Sequence, residues 1–150
     1  MSSTFTTPIR IFKRNNPTNN GVIAPDNTGA AECTVQKAIV GGTATTVTIP
    51  AGSIISDVKG YFTTAANTPA TPNVTVAGTT VGTLSDAAGI NNITFGSSSS
   101  VVGLLANVGV NDVTVSFTAD AGAVGTLSIR YTPRNVDGTI TAYGSGYTNN

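Results

Sequence analysis

Residues 112–132 read DVTVSFTADAGAVGTLSIRYT, and they restrict the fold more than any other stretch of the chain. Val113, Val115 and Phe117 alternate with Thr114, Ser116 and Thr118. Beyond a break of small residues, Leu127, Ile129 and Tyr131 alternate with Thr126, Ser128 and Arg130. A period of two turns the apolar set to one face of a strand and the hydroxyls to the other. With residues 119–123 as the loop, the stretch is expected to fold as a β-hairpin. Its register sets Val115 opposite Leu127, Val113 opposite Ile129, Thr114 opposite Ser128 and Ser116 opposite Thr126. The same register pairs Asp112 with Arg130 and lays Phe117 over Gly125. An opposite-charge pair and an aromatic ring over a glycine both stabilise antiparallel strands. A slip of one residue would undo all of these together.

The remainder of the chain has the same character. Residues 1–32 carry Pro8, Pro17 and Pro25 among Ser, Thr and Asn, which argues against a helix and for an extended arm, with a short strand at 21–24. Strands are expected at 33–40, 45–49 and 53–64. In the last of these Ile54, Val58 and Phe62 should face the core, with Ile55, Asp57, Lys59 and Tyr61 on the other face. Burial of each large apolar side chain is worth roughly 1.5–3 kcal/mol. A loop follows at 65–72, then a hairpin at 73–84 with its turn near Gly78. Residues 86–92 read as a turn region, 93–95 as a short strand, 97–100 as a polar loop and 101–105 as a short buried run. Pro133 ends the last long strand. Asp137 and Gly138 mark a two-residue turn inside a small terminal hairpin at 134–143, and 143–150 form a tail. No amphipathic helix of useful length is expected. The words VTV and VGTLS occur twice, within 74–85 and within 113–128. Many short strands separated by Gly, Pro and Asn turns give the expected class: all-β, an antiparallel β-sandwich of jelly-roll type spanning 33–132, with an extended N-terminal arm at 1–32 and a C-terminal hairpin and tail at 133–150.

Charge narrows the partners. Only 9% of the 150 residues are charged, and seven bases balance seven acids. Without a basic field, nucleic acid is not an expected partner. A neutral, hydroxyl-rich surface repels its own copies weakly, which suits life inside an assembly. Residues 1–7 lack the apolar core of a signal peptide and the apolar runs are too short to span a bilayer. The expectation is therefore synthesis in a host cytoplasm, without a membrane. Cys33, the single cysteine, should be a small buried residue and not a reactive thiol.

The residues for catalysis are not assembled in the sequence. The chain has no histidine, which removes the common general base, zinc ligand and Ser–His or Cys–His pair. The acids are scattered and none has calcium-loop spacing. Ser56-Asp57-Val58-Lys59 matches the Ser-x-x-Lys pattern, but that pattern works at the start of a helix, and here it falls in a strand. Gly78-x-x-x-Gly82 falls in a hairpin and not in a membrane helix. No enzyme, cofactor or metal is expected. Contacts with partners are assigned instead to Arg10, Ile11, Phe12, Lys13 and Arg14 in the arm and to Tyr143 and Tyr147 in the tail.

The wording of VTIPAGSIISDVKGYFTT at 47–64, of the two VGTLS segments and of SIRYTPRNVDGT at 128–139 resembles small structural proteins of tailed bacteriophages, in particular head decoration (cement) proteins and related auxiliary capsid proteins. The likeness spans residues 45–139. It implies a β-rich protein on the outside of a virion, bound to the major capsid protein and assembled as a homotrimer, and it transfers no functional residue. The leading expectation is thus a protein that binds and reinforces a capsid lattice, with its arm adding to a neighbour's sheet edge. The alternative is a glycan- or receptor-binding module of a phage fibre or surface adhesin, in which Tyr61, Tyr143 and Tyr147 stack on sugar rings.

Overall fold

The structure is a computed structural model, and it describes residues 32–134. The arm before Glu32, its strand at 21–24, the terminal hairpin, the tail and all seven assigned contact residues lie outside the described residues.

Among the described residues nine strands and one helix follow in chain order: β1 Cys33–Val40, β2 Thr45–Ile49, β3 Ile54–Thr64, β4 Asn73–Val76, β5 Thr79–Thr83, β6 Gly89–Asn92, β7 Thr94–Phe95, α1 Ser99–Ala106, β8 Val113–Phe117 and β9 Val124–Thr132. They form two sheets, ordered β1-β9-β3-β6 and β2-β8-β4-β5-β7, and every pairing is antiparallel. The class is therefore all-β, as expected. Buried side chains from both sheets meet in one apolar cluster. Phe62 of β3 and Phe117 of β8 touch edge to face across it, with ring centroids 6.3 Å apart.

The expected hairpin at 112–132 is not formed. Its two strands exist, and Val113, Val115, Phe117, Leu127 and Ile129 are all buried. However, β8 pairs with β2 and β4, whereas β9 pairs with β1 and β3 in the other sheet. The two apolar rows that a hairpin would set side by side are contributed from separate sheets to a shared core. Alternation fixes which way a side chain points and is silent about the neighbouring strand. The connection shows why the chain crosses over. Ala119 and Ala123 are buried, and the loop is bonded from outside: Gly41 N–H donates to Ala123 O, Gly42 N–H to Ala119 O and Asn67 N–H to Ala121 O, each at 2.8 Å. The proposed cross-strand pairs are dissolved accordingly. Asp112 Oδ1 accepts from Ala51 N–H at 2.9 Å, and Arg130 pairs with Glu32 and Asp57. Gly125 lies between Ile39 and Phe62, where a Cβ would collide with the Tyr61 carbonyl.

Three further expectations change. In β3 the register shifts between Ile55 and Asp57, so Ser56 is an extra, bulged residue. A bulge reverses the inside–outside phase. Ile55 is consequently buried and Ile54 only half-buried, while Val58 and Phe62 face the core as expected. The run at 101–105 belongs to a helix. Ser98 caps it, its side chain accepting from Val101 N–H, and Val101 is buried while Leu104 and Leu105 pack partly on the core. With eight residues the helix shows too few apolar repeats to register as a period. Residues 89–92, expected as turn, form β6 against β3.

The hairpin at 73–84 is formed. Ala77 and Gly78 both have positive φ, 50° and 79°, the signature of a two-residue type I′ turn.

Candidate functional site

The seven assigned contact residues cannot be placed, but the roots of the segments that carry them can. Glu32 enters β1 and Pro133 leaves β9. Those strands are neighbours, with Cys33 opposite Tyr131. Residues 1–31 and 135–150 thus join the described residues at one end of one sheet. Arg134 fastens that end, its Nε donating to Gly52 O at 3.1 Å and its Nη2 to Ala106 O. Cys33 is half-buried and not buried: it begins β1, which among the described residues is an edge strand.

The outward face of the same sheet carries three ion pairs. Register builds it in rows. Thr34, Arg130 and Asp57 stand abreast; Gln36, Ser128, Lys59 and Asn92 form the next row; Ala38, Thr126, Tyr61 and Ile90 form the third. Beyond them come Val40 and Val124. Strand alternation puts all of these on the side away from the core. A shallow depression of about 210 Å³ lies among Thr34, Gln36, Asp57, Lys59, Tyr61, Ser128 and Arg130.

Electrostatics organise one end of this face. Asp57 Oδ2 receives Lys59 at 3.4 Å and Arg130 at 3.6 Å, and Arg130 also reaches Glu32 at 3.3 Å. Two positive and two negative groups cancel. The Ser56 hydroxyl lies 2.6 Å from Glu32 Oε1 and 3.2 Å from the Arg130 carbonyl, so the serine of the Ser-x-x-Lys match is held in this network. The other end is apolar: Ile90 is 68% exposed and Tyr61 39%. The sequence alone puts Ile55, Asp57, Lys59 and Tyr61 on the outward side of one strand, and the bulge at Ser56 takes Ile55 out of that set. The sequence could not add Thr34, Gln36, Ser128 and Arg130, because their approach depends on β9 lying between β1 and β3.

Comparison with protein-family models, with curated proteins and with solved structures returns no match. The functional reading therefore stands on the geometry. Among the described residues no group of three or more His, Cys, Asp or Glu side chains could hold a metal ion, and no helix is long and apolar enough to cross a membrane.

Proposed function

We propose that this chain is a structural virion protein: a jelly-roll β-sandwich that binds the outside of a phage capsid lattice, reinforces it, and takes the major capsid protein and its own copies as partners. The observation that carries the reading is the pattern of strand pairing. With β7 set aside as a two-residue addition, eight strands remain. The first pairs with the eighth (β1–β9), the second with the seventh (β2–β8), the third with the sixth (β3–β6) and the fourth with the fifth (β4–β5). One long antiparallel ribbon makes these pairs. Rolling it up adds β9–β3 and β8–β4. A ribbon rolled in this way is a jelly roll, an architecture used by capsid and lectin domains. The site of attachment is proposed at the end where both extensions join, since an arm rooted beside a sheet edge can add main-chain hydrogen bonds to a neighbour.

The test is deletion of residues 1–20. The shortened chain should keep the dispersed spectrum of a folded protein and lose its place on purified particles in a co-sedimentation assay. Undiminished occupancy would remove the arm from the mechanism, and absence of the intact chain from particles would remove the function.

A further inference from the structure

The outward face of the four-stranded sheet has a feature that capsid attachment does not use. Ser128 sits at the centre of the second row, between Gln36 and Lys59, and lines the depression. Its residue is 7% exposed, and its hydroxyl, without a hydrogen-bond partner among the described residues, keeps contact with solvent and opens into the depression. A hydroxyl is both donor and acceptor, so it can meet a ligand hydroxyl in either role. Around it the depression offers the Gln36 amide, the Lys59 ammonium and the Asp57 carboxylate. Both cations bind the same oxygen of Asp57, Oδ2, so Oδ1 keeps its accepting capacity. On the next row Tyr61 stands opposite Ile90, two exposed apolar surfaces side by side.

We infer that this depression is a binding site for a neutral oligosaccharide. A pyranose ring has an apolar face of C–H groups and a rim of hydroxyls that donate and accept. The Tyr61–Ile90 pair fits the face. The amide, carboxylate, ammonium and serine hydroxyl fit the rim, with the charged groups giving the stronger bonds. Neutrality follows from the local balance: Lys59 and Arg130 are offset by Asp57 and Glu32, so no surplus positive charge remains to select a carboxylated sugar. This gives a location to the glycan-binding alternative expected from the sequence, and it is independent of attachment to a capsid.

The experiment is an amide NMR titration of the full chain with maltotriose and N-acetylchitotriose as neutral probes and sialyllactose as the acidic one. The expected result is millimolar-range binding of a neutral probe, with shifts concentrated on β1, β9 and β3 around Gln36, Ser128 and Lys59. Tyr61→Ala should weaken that binding by roughly tenfold, the loss of one stacked ring, and Tyr61→Phe should retain most of it. Both substitutions are on an exposed face, so the unliganded spectra verify that the variants fold. Shifts with none of the neutral probes, shifts indifferent to Tyr61→Ala, or preference for sialyllactose would each overturn the inference. Co-sedimentation with particles reads the capsid function separately, so failure of one is not mistaken for failure of the other.

Discussion

Asp86 shows how much one side chain can carry. It is fully buried, and its two carboxylate oxygens accept from Ala70 N–H at 2.7 Å and Asp120 N–H at 2.9 Å. Its own backbone bonds Ala66 and Ala70. One residue thereby ties the 65–72 loop to the 119–123 crossover. In the sequence it is an ordinary turn aspartate, because the groups it satisfies lie 16 and 34 residues away. Removing it takes the acceptor from two N–H donors on residues that are themselves exposed. Asp86→Ala should destabilise the fold by about 1–3 kcal/mol in urea unfolding. Tyr131 provides a pH dependence. Burial, with Cys33 beside it adding to the effect, raises its phenol above the usual value of 10.0. The folded state then holds the proton more tightly than the unfolded chain. The associated stability is complete below pH 10.0 and is lost as pH rises through the raised folded value. Thermal melts should fall more steeply above pH 10.0 for the native chain than for Tyr131→Phe.

At the scale of elements, the repeated words are instructive. VTV followed by VGTLS makes β4 and β5 in one case and β8 and β9 in the other. The first pair is joined by Ala77 and Gly78 alone, in a turn whose two positive φ values reverse the chain within one sheet. The second is joined by residues 118–123, long enough to pass from one sheet to the other. Similar strands acquire different partners because the linkers differ. The edge strand β1 makes a related point. It is eight residues long and, among the described residues, pairs on one side only. Lys37 lies opposite the inward-facing Leu127 yet is exposed. A charge on the inward side of an edge strand keeps another strand from docking flush against it. Lys37→Val should drive association beyond that of the native chain, read as larger species by light scattering.

For the whole molecule, the proposed assembly predicts a definite mass: light scattering of the full chain should report three times its 15.0 kDa, and a monomer at working concentration would set the trimer aside. The sequence alone was enough for the all-β class, for most strand positions and for most inward-facing residues, since each is written in the local alternation of a single strand. Where a bulge broke that alternation, at Ser56, the inward residue moved from Ile54 to Ile55. Where a short helix supplied too few repeats, at Ser99–Ala106, it went unseen. The rows on the outward face were not legible either, because Gln36, Lys59 and Ser128 meet only through the order β1-β9-β3. Only the tertiary structure decided which strand neighbours which. An apolar row is buried equally well beside its sequence neighbour or opposite it in a second sheet. The choice rests on contacts made far along the chain, such as those that Gly41, Asn67 and Asp86 make with the crossover.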